Sequence, residues 1–154
     1  KLTEGLFEGE TINTPSMLAV EDYLDALQWI EGLGGVEAAV GRSDANLAVL
    51  EAWVAKTPWV EFLAADKAIR SNTSVTLSIV DPRVAGLDEK AQQAFVKTFT
   101  GLLEKENAAY DIGGYKAAPP GLRIWCGATV DASDLEKLTP WLDWAFEAAA
   151  AELS

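Results

Sequence analysis

The chain has 154 residues, 49% hydrophobic and 23% charged, which is the make-up of one ordinary globular domain and not of a disordered or fibrous segment. Twenty-four acidic against twelve basic side chains leave a net charge of −12, which argues against a nucleic-acid backbone or an anionic membrane as partner. With no histidine and a single cysteine, Cys126, the chain lacks the usual neutral-pH acid–base group, the commonest metal ligand and any internal disulfide, so Ser-His-Asp, Cys-His and zinc chemistry are beyond it.

The first predicted element is a helix. Thr14 stands as its N-cap and Pro15 at its first position, where a missing N–H costs nothing. Val20, Tyr23, Leu24, Leu27, Ile30 and Leu33 recur at helical spacing until Gly32-Leu33-Gly34-Gly35 ends the pattern. The segment Glu8-Gly9-Glu10-Thr11-Ile12-Asn13 leads into this helix. Its mouth reads either as an ordinary capped start or as an anion site built from free N–H groups and the positive end of the helix dipole. A second helix runs from Val36 with Val40, Leu47, Leu50, Trp53 and Val54 on one stripe, and Thr57-Pro58 breaks it.

Trp59 to Leu63 and the strictly alternating Ser74 to Val80 read as strands, with Arg70-Ser71-Asn72-Thr73 as the turn before the second. Asp88 caps a third helix, with Leu87 as a staple before it and Ala91, Phe95, Phe99, Leu102 and Leu103 along one side; it ends near Asn107. Tyr110 to Ile112 is a brief third strand closed by Gly113-Gly114, and Leu122 to Ala128 is a fourth. A last helical region starts at Asp131, with a break expected at Thr139-Pro140. The order predicts an α+β sandwich with helices over one face of a mostly antiparallel sheet of about four strands.

Arg123 is the sharpest single residue. It alternates with Leu122 and Ile124 and so points to the face opposite theirs, beside Trp125. A guanidinium fixed on a strand suits bidentate capture of a carboxylate; the alternative is a surface arginine paired with one of the many acids. Tyr115 and Lys116, in the loop that feeds the strand, offer a hydroxyl and a point charge to a phosphate, or are solvated loop residues. Most of the six tryptophans are expected in the core or in helix packing. The acids on the helix faces, such as Asp22, Asp25 and Glu104, read as solvation.

Three blocks then tie these residues together. Gly9-Glu10-Thr11-Ile12-Asn13-Thr14-Pro15-Ser16, Glu21-Asp22-Tyr23-Leu24-Asp25-Ala26-Leu27 and Gly121-Leu122-Arg123-Ile124-Trp125-Cys126-Gly127-Ala128-Thr129-Val130 resemble, in order, the C-terminal part of the phosphoserine aminotransferases, in the version found in alphaproteobacteria. Thr57-Pro58-Trp59-Val60, Arg70-Ser71-Asn72-Thr73-Ser74-Val75 and Thr139-Pro140-Trp141-Leu142-Asp143-Trp144 extend the likeness over essentially the whole chain.

The resemblance implies the small domain of a fold-type I, class V aminotransferase. Such an enzyme uses pyridoxal 5'-phosphate to move an amino group between glutamate and 3-phosphohydroxypyruvate in serine biosynthesis. It also implies a cytoplasmic homodimer in which Asn13 and Thr14 reach the cofactor phosphate of the neighbouring subunit. Arg123 then grips the substrate α-carboxylate, and Tyr115 and Lys116 meet the substrate phosphate. Residues 1–16 become an interface segment that continues from a large domain, and residues 17–154 the small domain, with 17–56 holding the long connecting helices.

Two departures bear on these roles. The family usually has arginine where Lys116 stands, and a point charge lacks the fork. The family's Schiff-base lysine lies in the large domain, and Lys1, Lys56, Lys67, Lys90, Lys97, Lys105, Lys116 and Lys137 do not match its motif. The chain alone is therefore expected not to transaminate. Another class V aminotransferase domain acting on an unphosphorylated substrate, and a non-catalytic α+β binding or dimerisation module, stay open as alternatives.

Overall fold

The computed structural model describes residues 4–5, 7–115 and 117–153, in two compact units, one reaching Ala39 and the other starting at Val40. Lys116 lies outside the described residues.

The first unit is dominated by helix α1, Met17–Leu33. Its N-cap is Ser16, whose side chain accepts from the Ala19 N–H, so Thr14 and Pro15 stand ahead of the helix and do not open it. Proline disfavours helical geometry in the residue before it, which keeps Thr14 out of the helix, while Ser16 caps as well as threonine would. The C-terminus is as predicted. Gly34 takes φ 110°, a conformation open to glycine, and the Gly34 and Gly35 N–H groups close on Glu31 and Ile30. None of the residues of α1 is buried.

Helix α2, Val36–Val54, spans the boundary and presents Ser43, Asn46, Leu50 and Trp53 inward at helical spacing. Three strands follow in the second unit: β1 (Val60–Phe62), β2 (Ser74–Ile79) and, after two helices, β3 (Gly121–Trp125). They form one antiparallel sheet in the order β1-β2-β3, with Phe62 opposite Leu77, Leu77 opposite Leu122, and Thr76 opposite Arg123. The turn before β2 is built as expected, with the Ser71 hydroxyl accepting from the Thr73 and Ser74 N–H groups.

The sheet has three strands among the described residues, where about four are expected. Residues 110–112 form no strand, and the chain pairs here only through an isolated bridge of the next residue, Gly113, with Leu122. The cause is local: Asp111 has φ 53°, in the left-handed region, and a strand cannot run through it.

A short helix α3, Pro82–Ala85, unpredicted, is capped by Asp81. Helix α4, Glu89–Lys105, is capped by Asp88 as predicted, through the Ala91 N–H at 2.8 Å. Helix α5, Ala132–Ala151, runs straight through Pro140, where a break is expected. A proline leaves the carbonyl four residues earlier without its N–H donor. Here that carbonyl belongs to Glu136, and the Thr139 hydroxyl donates to it at 3.2 Å, so the helix loses less at this point than the sequence implies.

The core lies on one face of the sheet. Val60, Val75, Leu77, Leu122 and Ile124 meet Phe95, Phe99 and Leu103 of α4, Leu142, Ala145 and Phe146 of α5, and Leu50 and Trp53 of α2. Trp59 stacks on Phe146 with centroids 4.4 Å apart and meets Trp53 edge-on at 5.5 Å. Both indole N–H groups donate to the Asp143 carboxylate, so the two buried tryptophans leave no orphaned donor. Of the tryptophans, expected mostly in the core or in helix packing, only Trp53 and Trp59 are buried; Trp29, Trp125, Trp141 and Trp144 are exposed, the last two edge-on to each other on α5. The sheet's other face carries Glu61, Ser74, Thr76, Ser78, Arg123 and Trp125, and none of these is buried.

Candidate functional site

The site grows from the alternation of β3. Leu122, Ile124 and Cys126 point into the core, so Arg123 and Trp125 must emerge on the opposite face. Two glycines shape its ends. A Cβ on Gly121 would stand 2.2 Å from the Leu77 carbonyl oxygen, so only glycine lets β3 start this close to β2. A Cβ on Gly127 would strike the Trp125 indole at 2.7 Å, so that ring lies over bare backbone.

Residues 111–115 run beside the start of β3. The Arg123 N–H donates to the Ile112 carbonyl at 2.8 Å, and Gly114 N–H to the Gly121 carbonyl at 3.0 Å. This brings two side chains to the arginine. The Tyr115 ring lies 4.5 Å from the guanidinium carbon, a cation–π contact, and Asp111 accepts from Nη2 at 3.2 Å. The Arg123 side chain is 19% exposed while that of Asp111 is 92% exposed. Arg123 Nε is buried and has no hydrogen-bond partner among the described residues. A held guanidinium with one edge incompletely used is what a bidentate oxyanion requires.

Tyr115 also borders a recess of about 360 Å³ between α4 and residues 113–115 and 118–121, lined on the helix side by Gln93, Lys97 and Thr100. Asn13 and Thr14 lie in the first unit, both exposed, and neither side chain hydrogen-bonds another described residue. They offer an amide and a hydroxyl to a phosphate but no charge, so they fit a cofactor phosphate only as neutral donors. They precede the capped first turn and do not form it.

The segment after β3 is pinned from α2, which sequence reasoning missed. Asn46, 1% exposed, donates its amide to the Cys126, Gly127 and Val130 carbonyls, and Arg42 Nε donates to the Ala128 carbonyl at 2.7 Å. The signal was available: Asn46 sits four residues before Leu50 and seven before Trp53, a polar residue on an otherwise apolar stripe. Asp111 was missed because its segment reads as a strand. Arg70 is occupied elsewhere, by Glu51, the Ala64 carbonyl and the Phe62 ring.

Three ionisable groups among the described residues are shifted, Cys126 and the hydrogen-bonded pair Asp81 and Arg83, whose guanidinium is raised. Burial raises the Cys126 thiol to about 12, and the Arg83 hydrogen bond holds Asp81 below the ordinary carboxylate value. Among the described residues no cluster of His, Cys, Asp and Glu is placed to hold a metal, and no helix is long and apolar enough to cross a membrane.

Fold and site thus define a two-layer α+β domain with a strand-borne guanidinium on the open side of its sheet. Its relatives are specific. The phosphoserine aminotransferases of Methanosarcina barkeri and Methanosarcina mazei are 51% identical over 146 residues and 50% identical over 147, covering 95% and 96% of this chain. A putative phosphoserine aminotransferase of Mycobacterium leprae is 27% identical over 144 residues. The chain spans 37% of the length of each Methanosarcina relative. No protein-family model matches.

Solved structures share the fold. Phosphoserine aminotransferase from Bacillus circulans subsp. alkalophilus superimposes with a TM-score of 0.72 at 18% identity, covering 88% of this chain and 34% of that one. A phosphoserine aminotransferase structure from a series on radiation damage of its Schiff base gives 0.75 at 17% identity, covering 96% and 38%.

Proposed function

We propose that the chain is the C-terminal small domain of a phosphoserine aminotransferase, of the kind that exchanges an amino group between glutamate and 3-phosphohydroxypyruvate. The observation that carries this reading is Arg123: a guanidinium fixed by a strand, flanked by Tyr115, with Nε unsatisfied. The extent of identity to the Methanosarcina enzymes supports the reaction assigned to it.

In this reading Arg123 binds the α-carboxylate shared by the amino-acid and oxo-acid substrates, and Tyr115 holds the guanidinium plane and borders the substrate phosphate with Lys116. Asn13 and Thr14 donate to the cofactor phosphate of a neighbouring subunit in a homodimer. Residues 1–16 are the interface segment, 17–154 the small domain, and the protein works in the cytoplasm. Pyridoxal phosphate, when bound, supplies the electron sink for amino-group exchange. The residues of this chain contribute anion binding and orientation, and the lysine that attaches the cofactor comes from outside it.

The test is kinetic. In the full-length enzyme Arg123→Ala lowers kcat/KM for both phosphoserine and glutamate by about a hundredfold, because both lose a charge-assisted pair. Replacing Lys116 by Ala weakens only the phosphorylated substrate; equal losses on phosphorylated and unphosphorylated substrates would point to a different class V aminotransferase. The isolated chain shows no turnover, and turnover together with a borohydride-stable adduct on one of its own lysines would overturn the reading.

A further inference from the structure

We infer that Asp111 is an internal stand-in for the substrate carboxylate, a side chain that holds Arg123 and is exchanged for the incoming anion. This rests on the reading of Arg123 as a carboxylate binder and adds the residue that sets how tightly that binder holds.

Three features of the pair support exchange over a permanent structural bridge. First, the contact is incomplete. Asp111 Oδ2 takes Nη2 alone, at 3.2 Å, while Nε on the same edge of the guanidinium has no partner among the described residues. Nε is covered as the site stands, so an anion with two oxygens side by side uses both N–H groups only once the groups over Nε shift, and it then gains a bond that Asp111 does not make. Second, the two partners differ in how they are held. Arg123 is mostly covered, anchored on β3 and faced by the Tyr115 ring, whereas the Asp111 carboxylate is almost wholly in solvent. Releasing Asp111 costs it little hydration, and releasing Arg123 would require moving the strand.

Third, the backbone aims the side chain. At φ 53° Asp111 occupies a conformation that aspartate and asparagine tolerate better than other non-glycine residues. Its neighbour Ile112 is buried and its carbonyl is bonded to the Arg123 N–H, so the backbone holds the carboxylate beside the guanidinium while the side chain itself stands in solvent. The result is a local carboxylate of high effective concentration that every ligand must displace. It keeps stray monovalent anions off the guanidinium and lowers the affinity for the true substrate, which favours turnover at high substrate concentration.

The experiment uses the full-length enzyme and reads both the KM for glutamate and the inhibition constant of glutarate, a dicarboxylate with no amino group to transfer. Asp111→Asn keeps the backbone preference and the exposure of the side chain and removes the competing charge. It is expected to lower both constants about three- to fivefold, the range of an exposed ion pair. In an Arg123→Ala background the same substitution is expected to change neither, since there is no guanidinium left to uncover. If Asp111→Asn leaves glutarate inhibition unchanged or weakens it while Arg123→Ala still weakens it strongly, the exchange idea fails and the carboxylate role of Arg123 stands. If Arg123→Ala leaves glutarate inhibition unchanged, the role of Arg123 itself fails.

Discussion

Asn46 donates its side-chain amide to the Cys126 carbonyl at 3.0 Å, across 80 positions of sequence, and the same nitrogen lies 2.9 Å from the Val130 carbonyl. The turn after β3 is thus tied to α2 by a buried amide, beside the Arg42 bond to the Ala128 carbonyl, and with it the end of the strand that carries Arg123.

Asn46→Leu removes the donor and leaves buried carbonyls without their partner, a loss of about 1–3 kcal/mol in unfolding free energy. Asn46→Asp does worse, because it sets a buried negative charge against carbonyl oxygens. Urea unfolding of each variant measures this. A change under about 0.5 kcal/mol for Asn46→Leu, the size of an ordinary surface substitution, would mean that the turn is held by other contacts.

Pro140 and Thr139 form a thermodynamic pair. Thr139→Val strips the Glu136 carbonyl of the hydroxyl that replaces the missing proline N–H, and should cost about 1 kcal/mol. In a Pro140→Ala background, where a backbone N–H is restored, the same substitution should cost much less. A double-mutant cycle from thermal unfolding tests this, and independent, additive effects would refute the compensation.

Cys126 predicts an alkaline limb. Its thiol is fully buried and raised from 9.0 to about 12, so the folded state keeps the proton while the unfolded state gives it up. The stabilisation is whole below about pH 9 and is lost as pH rises toward about 12, because there the unfolded state binds fewer protons. Cys126→Ala should flatten the slope of stability against pH in that window without removing the contribution of other alkaline groups. Thiol reagents at neutral pH should label Cys126 only as fast as the chain opens, and rapid labelling of the native chain would contradict its burial.

Much of this protein is legible in one dimension. The C-terminus of α1, the cap of α4, the alternation of β2 and β3 and the outward direction of Arg123 follow from periods, caps and breakers, which are local properties of neighbouring residues. The blocks around Asn13-Thr14 and around Arg123 also carry the family resemblance, and the Methanosarcina relatives bear the same family name, though not the alphaproteobacterial version of it.

What the sequence by itself determined was therefore the fold class, most of the elements and the face of β3 on which Arg123 emerges. Only the tertiary structure decided the rest. Pro140 stays helical because a neighbouring hydroxyl and a packed inner face outweigh a missing bond, and residues 110–112 fail as a strand because one residue turns left-handed. Asp111 and Tyr115 become partners of Arg123 only when a loop folds back along β3. Caps and periods act over a few residues, whereas which carboxylate reaches which guanidinium depends on distances that exist only once the chain has closed on itself.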